Sequence, residues 1–127
     1  MKRILLLAGL IAFTCTVSAA PAIPAQTLFD MMDMKPAGKY DRYALGWVMA
    51  TNTSYAVFTV PKKESNNDGW YIECMRDKTG YGLYDEFKAY LRLSHSPGAN
   101  LGASAMHYYS RWTKYACRDE RRKYGLK

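Results

Sequence analysis

Residues Asn100–Arg121 read NLGASAMHYYSRWTKYACRDER, and this stretch decides the fold. Leu101, Ala105, Tyr108, Trp112 and Tyr115 recur in steps of four and three, the spacing of one apolar stripe on a helix. A helix of roughly 18 residues is about 27 Å long, enough to cross a small domain. Gly102, Ala103, Ser104 and Ala105 at its start are small and permit close helix packing. On this spacing Tyr108, Trp112 and Tyr115 belong to the core and Tyr109 is half-buried, a reading preferred to a ligand-stacking aromatic face. The stretch closes on Cys117 and a charged end.

A second helix lies in the front half. Tyr40, Tyr43, Ala44, Trp47, Val48, Thr51 and Tyr55 fall on one stripe of 3.6-residue period. Ala56 to Val60 then turns β-favouring, which predicts a short extended exit from that helix. Upstream, Thr27 is a candidate N-cap for a short first helix carrying Leu28, Phe29, Met31, Met32 and Met34, stopped by Pro36 and Gly38. Between the long helices, Pro61 to Gly69 holds no apolar anchor and reads as a loop. Trp70-Tyr71-Ile72 leads into Cys74, Gly80 and Gly82 break the chain, and a third helix covers about Leu83 to Leu93. The expected fold is therefore all-α: a small four-helix domain closed by one disulfide, with a short extended segment after helix two.

The N-terminus accounts for the expected disulfide. Lys2 and Arg3 precede the apolar run Ile4 to Phe13, and the small residues Val17-Ser18-Ala19 follow. That order is a cleavable export signal over residues 1–19, and its apolar run is too short for an anchor. Cys15 follows Thr14 and Phe13, which is a poor lipidation site. Residues 20–26, with Pro21 and Pro24, read as a mobile leader, residues 27–121 as the helical domain and 122–127 as a basic tail. Loss of Lys2 and Arg3 lowers the net charge from +7 to +5. Cys74 and Cys117 then remain, 43 positions apart. Two cysteines in an exported chain favour one internal disulfide over free thiols or a bridge between subunits. A loop of that length is stabilised by about 4 kcal/mol on chain-entropy grounds.

The catalytic inventory is thin. His95 and His107 are the only side chains with an unperturbed pKa near neutrality, and neither has a second histidine four residues away. No GxSxG elbow is present, and Gly80-Tyr81-Gly82 lacks the third glycine of a phosphate cradle. An enzyme is not expected, nor any cofactor or metal. Nucleic acid is an unsuitable partner for an exported chain, and no stable membrane anchor is expected.

A resemblance supplies a more specific expectation. Cys74-Met75-Arg76-Asp77, the helix around Glu86-Phe87-Lys88-Ala89-Tyr90-Leu91, the turn His95-Ser96-Pro97 and the closing Tyr115-Ala116-Cys117 follow one another in order. Together with Tyr43-Ala44-Leu45-Gly46-Trp47-Val48, they resemble the Rap/Tai group of periplasmic immunity proteins of bacterial type VI secretion. The chain departs from that pattern in having Met31, Met32 and Met34 where the group often has a cysteine, and in the extra residue between His95 and Pro97. The resemblance implies a periplasmic protein that occludes a toxic effector, typically a cell-wall amidase, without catalysis. The partner is then a protein, with homodimerisation left open. Its contact surface is expected on the polar loop, at Lys62, Lys63, Glu64, Asn66, Asn67 and Asp68, with Trp70 as an apolar anchor. A second expected contact is the basic end at Arg118, Arg121 and Arg122. The alternative is an acid-stress periplasmic chaperone of the HdeA kind, but those place one cysteine near the mature N-terminus. Here both lie in the second half.

Overall fold

The computed structural model describes residues 22–58, 69–95 and 100–127. Over these the chain is all-α, with six helices: α1 (Ala25–Asp33), α2 (Arg42–Phe58), α3 (Gly69–Met75), α4 (Gly80–Ser94), α5 (Ala105–Ala116) and α6 (Arg118–Lys123). The four-helix expectation is thus corrected to six, and the extended segment after helix two is not found among the described residues. Ala56 to Phe58 continue α2, because the helical hydrogen-bond ladder overrides a β preference summed over only a few residues. Thr59 and Val60 lie outside the described residues, as do the export signal, the loop at 61–68 and Ser96-Pro97 of the expected turn.

Two further differences have local causes. Trp70-Tyr71-Ile72 is not a lead-in to Cys74 but part of α3. The next helix begins at Gly80 rather than Leu83, because Thr79 caps it by accepting a hydrogen bond from the Gly82 amide at 3.0 Å. Gly80 is not a breaker here. A Cβ at this position would lie 3.0 Å from Met49 Cγ, so glycine lets the first turn of α4 close against α2.

The long C-terminal helix is two helices. Ser104 caps α5 by accepting from the His107 amide, so residues 100–103 stand outside it. At Cys117 the backbone leaves helical geometry (φ −103°, ψ 25°), and α6 starts after it at Arg118. The buried stripe of α5 is Ala105, Tyr109, Trp112 and Thr113, not the predicted Tyr108–Trp112–Tyr115 line. Tyr109 is fully buried and Tyr115 is 68% exposed. The helix is rotated toward the side of Cys117, whose sulfur must reach the interior to meet Cys74, and that rotation turns Tyr115 outward.

Ile23 to Gln26, assigned by the sequence to the leader, is built into the fold. Ala25 donates to the Ala103 carbonyl at 3.0 Å and Ala105 donates to the Ile23 carbonyl at 2.8 Å, an antiparallel bridge. Each bond satisfies a first-turn amide that its own helix leaves unpaired. This bridge takes the role predicted for Thr27, and Pro24 rather than Thr27 precedes the helix.

The core joins α1, α2, α4 and α5 around Phe87. Its ring lies 6.1 Å from Trp47, 5.4 Å from Tyr109 and 5.7 Å from Trp112. Trp47 and Trp112 therefore share one core, as their stripes predict. A short corner of α3 and α6 packs at one end, closed by the Cys74–Cys117 disulfide with a Cα separation of 5.5 Å.

Candidate functional site

Of the residues predicted to carry recognition, the structure describes Trp70, Arg118, Arg121 and Arg122. Lys62, Lys63, Glu64, Asn66, Asn67 and Asp68 lie outside the described residues. Trp70, expected as an exposed anchor, is buried inside the α3–α6 corner, which removes it from any contact surface. Arg121 is buried with it, 4% exposed, with its guanidinium carbon 4.8 Å from the Trp70 ring centroid. Of the three named arginines, Arg118 and Arg122 are exposed. The physical reason is that α6 is too short to stand alone, so its middle residue must supply the packing that holds it.

The surface instead displays apolar residues on α4 and α5. Ala89, Tyr90, Leu93, Trp112, Tyr115 and Ala116 line a groove of about 290 Å³. Leu93 is 86% exposed, and the Tyr90 and Tyr115 rings sit 6.4 Å apart across the groove. Lys78 and Glu86 form an ion pair at 2.9 Å at its rim. Both helices are positioned by side chains on their opposite faces, Leu83, Phe87 and Leu91 on α4 and Tyr109 and Thr113 on α5. The groove is therefore a surface on a rigid support. Leu93 falls outside the buried set of α4, a signal readable in the sequence. Tyr115 was misplaced by the heptad, so its share of the groove was not.

A second exposed aromatic cluster lies where α2 meets α4. The Tyr40 ring lies against Tyr81 at 4.7 Å, and its hydroxyl donates to Asp85 Oδ2 at 3.0 Å. That bond to a carboxylate holds the Tyr40 hydroxyl above its ordinary pKa. Tyr43 and Met49 are also exposed.

No cluster of three His, Cys, Asp or Glu side chains that could hold a metal ion occurs among the described residues. His95 is half-buried against the Phe29 ring at 5.3 Å, and His107 lies edge-on to its neighbour Tyr108. The buried hydroxyls form a hydrogen-bonded network. Tyr71 Oη lies 2.7 Å from Tyr109 Oη and donates to Asn52 Oδ1 at 2.8 Å, and Tyr55 Oη lies 3.1 Å from Ser110 Oγ. Burial pushes the pKa of Tyr71 and of Tyr109 upward, so both remain protonated at neutral pH.

No protein-family model, curated protein or solved structure matches the chain. No helix among the described residues is long and apolar enough to cross a membrane.

Proposed function

We propose that the protein is exported to the periplasm and acts by binding, as an immunity protein that occludes a type VI secretion effector of the cell-wall amidase class. The observation that carries this reading is the α4–α5 groove, with Leu93 and Tyr115 exposed on a scaffold braced by a disulfide. Interfaces draw most of their affinity from a few aromatic and aliphatic anchors, ringed by polar groups that exclude water. Tyr90, Leu93 and Tyr115 supply anchors, and the Lys78–Glu86 pair supplies a polar rim. Rigid support lowers the ordering cost of association, which favours tight inhibition. The anchor role expected of Trp70 passes to the exposed side chains of α4 and α5.

The test is periplasmic co-expression with the product of the adjacent gene, since an immunity protein is encoded beside its effector. Cells should survive with the intact chain and lyse with the Leu93→Ala/Tyr115→Ala double variant. Affinity for the effector should fall by about two orders of magnitude in that variant, with unchanged thermal stability. Full protection by the double variant would move recognition away from the groove, and a harmless neighbouring product would remove the immunity reading altogether.

A further inference from the structure

The exposed aromatic cluster where α2 meets α4 adjoins the groove along one row of side chains. Tyr81, Asp85, Ala89 and Leu93 stand four residues apart on α4, and all of them are exposed. Residues at that spacing form a single ridge along a helix, here about 18 Å from end to end. Ala89 and Leu93 line the groove, whereas Tyr81 and Asp85 belong to the cluster. A partner seated in the groove therefore has a continuous path along the ridge to Asp85 and Tyr81.

This end of the ridge carries chemistry that the fold does not use. Tyr40 has a structural role, because its ring packs edge-on against the buried Tyr84 at 5.0 Å. Tyr81 lacks such support: it is 56% exposed, and Tyr40 is the one ring it meets among the described residues. Asp85 takes the Tyr40 hydroxyl on Oδ2, and its Oδ1 accepts no hydrogen bond among the described residues. Asp41, whose amide donates to Tyr84 Oη at 3.3 Å, adds a second carboxylate to the cluster. Lys39 and Arg42 flank Asp41 in the chain, yet among the described residues no ion pair reaches either aspartate. Other carboxylates around α4 are paired: Lys78 holds Glu86 at 2.9 Å, and Arg92 holds Asp33 at 2.8 Å. An unpaired carboxylate beside an exposed ring is complementary to a cation that has an apolar face.

On the reading that the groove recognises a protein, we infer that the Tyr81–Asp85 end of the ridge receives an arginine side chain of that same partner. A guanidinium is planar and weakly hydrated, so it lies on the Tyr81 ring while one of its N–H groups donates to Asp85 Oδ1. Lysine supplies the charge without the stacking plane. The hydrogen bond from Tyr40 fixes the carboxylate beside the ring. Asp85 and Leu93 are eight residues apart, so the arginine stands about 12 Å from the apolar group that fills the groove. Groove and ridge together read two features of the partner at a fixed spacing, which gives more selectivity than an apolar contact alone.

The disulfide-intact chain should be titrated with a capped glycine–arginine–glycine peptide, followed by amide and aromatic-ring NMR. The same peptide with citrulline, a neutral isostere of arginine, is the control, and a lysine peptide tests the stacking plane. Saturable shifts are expected at Tyr40, Tyr81 and Asp85 with arginine, weaker binding with lysine and none with citrulline. Asp85→Asn removes the charge but keeps an acceptor for Tyr40, and should weaken arginine binding about tenfold. Tyr81→Ala should weaken it about threefold. Both positions are exposed, and an unchanged melting temperature shows that the scaffold is intact. Equal shifts from the arginine and citrulline peptides, or arginine binding that survives Asp85→Asn, overturn the ridge site and leave the groove reading standing. Arginine-specific binding, in a chain whose Leu93→Ala/Tyr115→Ala variant still protects cells fully, breaks the groove reading and keeps the arginine site.

Discussion

The aromatic centre around Phe87 and the corner formed by α3 and α6 are both buried, yet different physics holds each. In the centre, α2, α4 and α5 are 17, 15 and 12 residues long and meet through close-packed rings. In the corner, α3 and α6 are seven and six residues long, well below the length at which a helix persists unaided. The corner instead relies on specific links: the Cys74–Cys117 bond, Arg121 on Trp70, and Glu73 to Lys123 and Tyr124. The difference teaches where damage spreads. A lost ring at the centre loosens every long helix, whereas a lost link at the corner should release only the corner.

Phe87→Ala tests the first half of that contrast and has the largest expected effect. It removes a ring shared by Trp47, Tyr109 and Trp112, and should cost about 3–5 kcal/mol in a chemical unfolding curve. Cys74→Ala with Cys117→Ala should cost about 2–4 kcal/mol. Hydrogen exchange should then show α3 and α6 losing protection well before α2 and α4. If all helices lose protection together, the corner and the centre are one cooperative unit and the contrast fails.

The buried hydroxyls sharpen the comparison where the corner meets the centre, because Tyr71 of α3 bonds to Tyr109 of α5 and Asn52 of α2. Tyr71→Phe removes the bonds to Tyr109 and to the half-buried Asn52 and leaves the Tyr109 hydroxyl buried without that partner, at a cost of about 1–2 kcal/mol. Thr51 Oγ1, by contrast, is buried without a hydrogen-bond partner among the described residues. Thr51→Val should therefore be neutral or stabilising, by up to about 1 kcal/mol, in the same unfolding assay. A marked loss in that variant would mean that the hydroxyl is satisfied in solution.

The smallest effect concerns pH. The bond from Lys123, with lesser help from Tyr124, holds the Glu73 carboxyl below its ordinary value of 4.5. A depressed carboxylate contributes stability above its unfolded pKa and loses it as pH falls through the folded one. The melting temperature should therefore fall slightly on acidification below about pH 4.5, and Glu73→Gln should flatten that part of the profile. An unchanged profile in the variant would show that solvent screens the pair completely.

The centre was far more legible than the corner. In α2, Ala44, Trp47, Val48, Thr51 and Tyr55 are all buried, as the helical period requires, while Tyr43 of the predicted stripe faces out. Such a stripe is readable because burial of a long helix follows from its own spacing. The corner offers no such period. Trp70 and Arg121 are 51 positions apart, and nothing local announces that one rests on the other. Hence Trp70 and Arg121, expected at a contact surface, are interior, while Tyr115, expected in the core, lines a surface groove.

By itself the sequence determined the all-α class, the helical stripe of residues 44–55, and two cysteines available to pair. Each depends on neighbours within a turn or two, or on simple count. Only the tertiary structure decided that the last helix breaks at Cys117, which way α5 rotates, and that Pro24 pairs against Ser104 through the bonds of its neighbours. Those outcomes depend on bonds between distant residues, above all the 43-residue span of the disulfide, and a helix can satisfy its own period equally well in either rotation. Distant constraints choose between rotations that local spacing leaves nearly equal in energy.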